Sequence, residues 1–352
     1  MRQNKLLLLL VLLVAVVSGA WAQDPAKYKI TLAEGTEDAE NWTVPAEAAA
    51  GSPVTATYNG DKKVKSVKAV KKAAADPLAV PLTIEAITPG NISVSGLKEG
   101  FQYSKNGGAK TAVTNDEIVL NAGDKVQFYG NGTSITYYQG TIITGSGDGF
   151  TCKMYGNIMS LVDEENFATA TTLSEGNTFY GLFFGFNTLT DASGLLLPAT
   201  QLAGSCYYYM FRDCSSLTAA PALPAETLAE SCYNQMFRGC TSLTTAPALP
   251  AETLVSNCYR SMFMGCSALT AAPELPATEL VNNCYRQMFT NCSKLATVTC
   301  LATSGINTGS SYNWLAGAGS LVQGTKTFNA VSTAVWPEGN SGIPTGWSRV
   351  NK

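Results

Sequence analysis

The chain of 352 residues contains no histidine, and only 14% of its residues are charged. Without histidine it lacks the commonest general base, the Ser-His-Asp and Cys-His pairs of nucleophilic enzymes, and the imidazole ligands of many zinc sites. It also has no CxxC pair, no GxSxG turn and no GxxxxGK[ST] phosphate loop. The densest acidic run is Asp163, Glu164 and Glu165, and adjacent acids are more typical of a solvated turn than of a glycosidase pair. We therefore predict that the protein is not an enzyme and needs no metal or cofactor.

Long apolar runs are missing too, except near the N-terminus. Arg2 and Lys5 precede an apolar run over residues 6–17, which is followed by Ser18-Gly19 and an Ala20-Trp21-Ala22 site. The run is short for a membrane anchor of about 20 residues, and its flanks are those of a secretory signal peptide cleaved after Ala22. We expect an exported chain with no membrane span after cleavage, located at the cell surface, in the periplasm or outside the cell.

Neither charge sign dominates, since 23 Lys and Arg stand against 26 Asp and Glu. The one basic run, residues 62–72, lacks the interleaved aromatics of a nucleic-acid surface, and a lysine-protected edge strand explains it better. We predict a monomer with no nucleic-acid partner.

What the chain does contain is a 26-residue repeat. Cys206 and Tyr207 recur at Cys232, Cys258 and Cys284 with the next Tyr each time. We number columns by their distance from this first Cys, which is column 0. Cys fills columns 0 and 8, Tyr column 1, Met-Phe columns 4 and 5, and Leu column 11. A fixed period of this length indicates stacked units, none of which can bury its apolar face alone.

The apolar spacing inside a copy predicts a helix. From Leu228 to Cys240, large apolar residues fall at i, i+4, i+5, i+8, i+9 and i+12, which indicates a helix of about three turns. The run 217–221, rich in small residues and closed by Pro221, predicts a brief strand. Column 7 holds residue types that tolerate the left-handed conformation ending a helix: Asp213, Gly239, Gly265 and Asn291.

Ten cysteines in an exported chain would ordinarily indicate a disulfide framework. Eight residues on a helix span about 12 Å, which is too far for a bridge within one copy. A degenerate earlier copy has Thr178 and Phe186 in the two Cys columns, which favours buried thiols that serve packing. Disulfide bonds between cysteines of neighbouring copies are a second alternative that the sequence leaves undecided. The repeat cysteines are Cys206, Cys214, Cys232, Cys240, Cys258, Cys266, Cys284 and Cys292.

The residues before the repeats are rich in Thr, Val, Gly and Asn and predict β modules. Strands are expected at 28–32 and 53–58, and a hairpin at 117–129. Further turn signals favour a β-sandwich. The predicted order is a signal peptide (1–22), a small β-rich module (23–72), a linker (73–81), a β-sandwich-like module (82–169), the repeats (170–304) and a C-terminal cap (305–352).

The run Met-Phe-x-Gly-Cys-x-x-Leu-Thr at 236–244, together with the export signal, resembles the BspA-type leucine-rich-repeat surface proteins of host-associated bacteria. The resemblance covers residues 178–301 and extends to the Trp-containing tail. It implies an α+β, multidomain chain in which N-terminal β-rich, Ig-like sandwich modules precede a leucine-rich-repeat solenoid of 26-residue helix and short-strand units with a C-terminal cap. It also implies adhesion to host matrix proteins or to other bacteria.

The variable columns 2, 3 and 6 point to a binding surface. Columns 2 and 6 are i, i+4 neighbours on the predicted helix, so each copy presents one Arg from the same outer face. Drift at exposed positions is the alternative explanation. The predicted binding residues are Tyr208, Tyr209, Arg212, Asn234, Arg238, Arg260, Arg286 and Gln287.

Two functions are compatible with this surface. The first is a surface adhesin that binds an extracellular protein. The second is a glycan-binding accessory protein in which tyrosines such as Tyr137 and Tyr138, or those at 207–209, stack on sugar rings.

Overall fold

The computed structural model describes residues 76–96, 100–130 and 140–352, and it describes five strands within the first 75 residues. The chain divides into two compact units, residues 1–74 and 75–352. In the first unit the antiparallel strand orders are β1-β5-β3 and β2-β4. The predicted cleavage site at Ala22 and the basic run 62–72 lie outside the described residues. The strands are β1 (Leu6–Leu10), β2 (Lys27–Lys29), β3 (Trp42–Thr43), β4 (Glu47–Ala49) and β5 (Val54–Tyr58).

The second unit begins with two sheets that share one hydrophobic core, and we call this pair of sheets the sandwich. Their strand orders are β10-β7-β12 and β14-β13-β6-β11-β8-β9. Ile92 and Ile143 of the smaller sheet and Ile84 and Phe128 of the larger one are fully buried in the same cluster. The strands are β6 (Thr83–Ala86), β7 (Gly90–Ser95), β8 (Gln102–Lys105), β9 (Thr111–Ala112), β10 (Ile118–Leu120), β11 (Lys125–Tyr129), β12 (Ile142–Ser146), β13 (Cys152–Asn157) and β14 (Leu189–Leu196).

The predicted hairpin at 117–129 is wrong in its pairing. Both strands form where expected, but β10 pairs with β7, whereas β11 lies between β6 and β8 in the other sheet. The turn between them holds Gly123 at a φ of +84° and is closed by Asp124, whose Oδ2 accepts the Asn121 N–H at 2.9 Å. This turn therefore connects two sheets, and its residue types are the same as those of a hairpin turn.

Two 3₁₀ turns flank this module, at Pro77–Ala79 and Ile158–Leu161. Pro81, in the predicted linker, forms a parallel bridge with Asn157. The described end of that segment is therefore attached to the sandwich.

The repeats do not form helices, so the predicted α+β class and its solenoid of helix and short-strand units are wrong. Within the described residues the only α-helix is the four-residue segment α1 (Thr308–Ser311). In each copy the N–H groups of columns 2, 4, 6 and 8 bond to carbonyls three residues earlier, as in consecutive β-turns. The N–H groups of columns 1, 3, 5 and 7 donate to the next copy, for example Tyr207 to the Cys232 carbonyl at 3.0 Å. We call this arrangement the repeat stack.

Left-handed residues explain why an α-helix cannot form here. Every fourth residue, in columns −1, 3 and 7, has a φ between +51° and +78°. A left-handed residue costs roughly 1–2 kcal/mol for side chains other than glycine and interrupts a right-handed helix. The column 7 residues are left-handed, as expected, but they close a turn and do not end a helix. The non-glycine members of these columns are Asn177, Ser205, Tyr209, Asp213, Ser231, Gln235, Asn257, Ser261, Asn283, Gln287, Asn291 and Asn313.

Equivalent side chains of successive copies pack on one another inside the stack. Tyr207 and Tyr233 have ring centroids 5.6 Å apart and nearly parallel planes, and Phe211 and Phe237 repeat this geometry at 5.6 Å. Met and Leu of the constant columns are fully buried around them. Offset aromatic pairs of this kind contribute about 0.5–1.5 kcal/mol each beyond their buried area.

The stack is continuous with the sandwich. β14 pairs in parallel with β13, and its Ala192 N–H donates to the Ala219 carbonyl of the next copy at 2.9 Å. In the middle copies the predicted strands are reduced to isolated β-bridges, such as the parallel bridge between Ala219 and Thr245.

At the C-terminal end a parallel four-stranded sheet of order β15-β16-β17-β18 forms. A further copy begins at Ser310, where Trp314 stacks on Tyr285 with centroids 6.0 Å apart. The hydrogen-bond pattern of the repeats therefore continues into residues that the sequence assigned to the cap. Among the described residues, no helix has the length and apolarity needed to cross a membrane. The strands are β15 (Ala271–Leu275), β16 (Thr297–Cys300), β17 (Lys326–Ala330) and β18 (Trp347–Asn351).

Candidate functional site

Columns 2, 3 and 6 lie side by side on one face of the repeat stack. The rings of Tyr208 and Tyr209 are 4.2 Å apart, and the Arg212 guanidinium lies 4.7 Å from the Tyr209 ring centre. In the next copy Arg238 Nη1 donates to Gln235 Oε1 at 2.7 Å. We call this surface the Tyr-Arg face. Its residues are Tyr180, Tyr208, Tyr209, Arg212, Gln235, Arg238, Arg260, Arg286, Gln287 and Tyr312.

A cluster of three tyrosines forms one end of the face. Tyr180 stacks on Tyr208 at 5.0 Å, and Tyr209 meets both rings edge-on. Gln235 Nε2 donates to both the Tyr208 and the Tyr209 hydroxyl, at 3.3 and 3.2 Å. Burial, followed by the hydrogen bond with Tyr209, raises the pKa of Tyr208, so its hydroxyl is neutral at physiological pH. These contacts fix the ring orientations, and they already cover one face of Tyr208 and one of Tyr209.

The four arginines differ in what they contact. Arg212 pairs with Asp213 at 3.2 Å and lies over the rings of Tyr209 and Phe184, while Arg238 bonds to Gln235. Arg286 lies over the Tyr312 ring at 4.7 Å. In the described part of the chain, Arg260 and Arg286 make no hydrogen bond and no ion pair, and each has a buried Nε atom without an acceptor.

The two unpaired arginines occupy column 2 of adjacent copies. Elsewhere in this column the Tyr180 and Tyr208 ring centres are 5.0 Å apart. Two unit charges at about 5 Å repel by about 3 kcal/mol at an effective dielectric constant of about 20, and by about 0.8 kcal/mol in water. The fold therefore places two like charges at the same column of adjacent copies, without a counter-ion among the described residues.

The structure brings the predicted binding residues together, with one exception. Asn234 is only 2% exposed, so it lies inside the stack and not on the predicted outer face. Gln287 is half-buried in column 3 beside Arg286. Tyr180 and Tyr312 were missed because they belong to degenerate copies. The position of Tyr180 two residues after Thr178 would have revealed it.

All ten cysteines are buried free thiols. In column 8 the thiol donates to the Phe carbonyl of the preceding copy, as Cys240 does to Phe211 O at 3.1 Å and Cys266 to Phe237 O at 3.1 Å. Burial raises the pKa of Cys206 to about 12, so the thiol is neutral and unreactive at physiological pH. In column 0 the Thr178 hydroxyl stands in for the thiol and donates to the Glu175 carbonyl at 2.5 Å.

The acidic run of the hypothetical glycosidase pair caps a turn. Asp163 Oδ1 accepts the backbone N–H groups of Glu165 and Asn166, and these bonds lower its pKa. Glu164 pairs with Lys110 at 2.8 Å. A lowered pKa opposes the role of a general acid.

Among the described residues no three His, Cys, Asp or Glu side chains come together to hold a metal ion. Tyr137 and Tyr138, named above as possible sugar-stacking residues, lie outside the described residues.

The arrangement on the Tyr-Arg face is suited to recognition and offers no activated nucleophile. It presents fixed tyrosine hydroxyls and edges, two unpaired guanidinium groups and the amide of Gln287. Comparison with models of protein families, with curated proteins and with solved structures found no match, so the resemblance to the BspA-type proteins remains a prediction.

Proposed function

We propose that the protein is an exported, non-catalytic binding protein that attaches to another extracellular macromolecule through the Tyr-Arg face. The supporting observation is that tyrosine, arginine and glutamine side chains from consecutive copies share one surface, where Gln235 donates hydrogen bonds to Tyr208 and Tyr209 of the neighbouring copy. Tyr and Arg, with Trp, are the residues most enriched at the energetic centres of protein interfaces. A surface whose side chains are already ordered loses little conformational entropy on binding.

The partner that fits this surface best is a protein, as for an adhesin. Binding of sugar rings needs open aromatic faces, whereas Tyr180 covers a face of Tyr208 and Arg212 covers a face of Tyr209. The resemblance to BspA-type surface proteins leads to the same expectation of adhesion. The experiment below also tests the alternative, in which the face binds a glycan.

The test uses the purified chain, labelled and applied to a panel of extracellular matrix proteins and to a glycan array. The variant Tyr208→Asn, Tyr209→Gln gives each column the residue that it holds in the next copy, Asn234 or Gln235, and should preserve the stack. The control is Thr244→Ala, at an exposed position outside the face.

We expect binding to a matrix protein that is lost in the double variant and kept in the control. Retention of a glycan alone, lost in the double variant, would replace the adhesin by the glycan-binding alternative. Binding that the double variant leaves intact would refute the assignment of the face.

A further inference from the structure

Arg260 and Arg286 differ from the other arginines of the Tyr-Arg face in having no hydrogen-bond or ion-pair partner in the described residues, although Arg286 lies over the Tyr312 ring. Arg212 has Asp213 as a counter-ion and Arg238 has the Gln235 amide, so these two are already engaged. Arg260 and Arg286 make no hydrogen bond or ion pair within the described residues, and both are partly removed from water. Their charges are therefore open to an external anion, which would also relieve the repulsion between them.

The guanidinium group favours a carboxylate as that anion. Its planar fork of N–H donors matches the two oxygens of a carboxylate, and the pair gains strength where water is partly excluded. Equivalent rings of adjacent copies lie 5.0–6.3 Å apart. In an extended peptide, side chains on one side recur about every 6.7 Å. The flexible stems of two arginines can span this small difference.

The neighbouring groups favour a peptide over an acidic polysaccharide. Gln287, next to Arg286, has no side-chain hydrogen bond in the described part of the chain, and its amide can both donate to and accept from a peptide backbone. The Tyr312 ring has Arg286 over it, which leaves less aromatic surface for a sugar.

We propose that the Tyr-Arg face binds an acidic segment of a partner protein, with Arg260 and Arg286 pairing with carboxylates that lie two residues apart. This inference rests on the proposed function and specifies its ligand.

The probe is a short, fluorescently labelled peptide of alternating Glu and Ala, and the reference peptide carries Gln in place of Glu. Anisotropy is measured at about 50 mM salt, where screening of exposed charges is weak. The test variant is Arg260→Asn, Arg286→Asn, because Asn234 fills the same column in the copy before Arg260. The control is Lys125→Gln, Lys294→Gln, which removes the same charge at two exposed lysines outside the face.

We expect the chain to prefer the Glu peptide to the Gln peptide. The Arg260 and Arg286 variant should bind the Glu peptide at least about tenfold more weakly, and the control about threefold or less. Equal losses in both variants would overturn the inference, since they would show attraction to charge in general. Absence of Glu-peptide binding, or preference for polygalacturonate over it, would also overturn it.

These outcomes are separable from failure of the proposed function. If the ligand is not acidic, the matrix-protein panel still shows binding that depends on Tyr208 and Tyr209, while the peptide does not bind.

Discussion

Replacing Ser261 by glycine and by alanine tests the turn structure of the repeats, because a helix and the repeat stack predict opposite orders of stability. Ser261 lies in column 3 with a φ of +51°, and Gly181 fills this column in the first copy. At such a φ an alanine costs about 1–2 kcal/mol. Glycine avoids this cost but loses about 0.5–1 kcal/mol more backbone entropy on folding. The stack therefore predicts that Ser261→Gly is more stable than Ser261→Ala, by up to about 1.5 kcal/mol.

In the interior of a helix the order is reversed, and alanine is favoured over glycine by about 1 kcal/mol. Urea unfolding followed by tryptophan fluorescence measures the difference, since Trp314 is buried against Tyr285 at the end of the stack. Ala268, whose φ is not positive, provides the control, and Ala268→Gly should lose about 0.5–1 kcal/mol. A finding that Ser261→Ala is the more stable variant by about 1 kcal/mol would refute the left-handed turns.

Three further predictions follow from the packing. Cys232→Ser should change the unfolding free energy by less than about 1 kcal/mol. The Thr178 hydroxyl, in the same column, donates to a carbonyl three residues earlier, and a serine hydroxyl can make the same hydrogen bond. A loss of several kcal/mol in urea unfolding would contradict this. Gly156→Ala should destabilise by more than about 3 kcal/mol, since φ is +86° and the new Cβ would lie 2.1 Å from the Pro81 carbonyl oxygen; a variant with normal thermal stability would contradict it. Burial raises thiol pKa values above the ordinary 9.0, so the folded chain keeps protons that the unfolded chain releases. Stability should be full below about pH 9 and then fall by about 1.4 kcal/mol per pH unit for each thiol, and a flat urea-unfolding profile up to pH 10 would contradict it. The pKa is raised to about 12 for Cys152, Cys292 and Cys300 and to about 11 for Cys284.

The helix prediction failed because the repeat has a period of four and not 3.6. Leu228, Cys232, Met236 and Cys240 are spaced by four residues each. At about 100° per residue, twelve residues of a helix would leave the first and last of them about 120° apart, so the pattern does not fit one helical stripe. Turns that repeat every four residues keep all of them on the buried side. The Asp, Gly and Asn residues in column 7 were a second sign of this geometry, which we interpreted only as a helix end, and the Ser and Asn residues in column −1 were a third sign.

The grouping of side chains was easier to predict than the backbone. Constant columns identified the buried Tyr, Met, Phe and Cys, and variable columns identified most of the Tyr-Arg face, because comparison between copies does not depend on the type of turn. Asn234 shows where this reasoning ends, since a variable residue can also be buried. Which arginines are paired could not be predicted, because pairing depends on contacts such as that between Gln235 and Arg238.

The predicted hairpin at 117–129 likewise combines features that the sequence predicts with one that it does not. The turn and both strands follow from local residue types, whereas the choice of partner strand depends on long-range contacts that the turn does not encode.

The most direct test of the stacked turns is the NMR scalar coupling across the hydrogen bond made by the Tyr233 amide. The structure predicts a cross-peak from this nitrogen to the Cys258 carbonyl carbon in the next copy, across an N–O distance of 3.1 Å. A helix would place the acceptor four residues earlier in the same copy, at the Ala229 carbonyl. A coupling to Cys258 would confirm that the copies are joined by backbone hydrogen bonds, and a coupling to Ala229 would contradict the account.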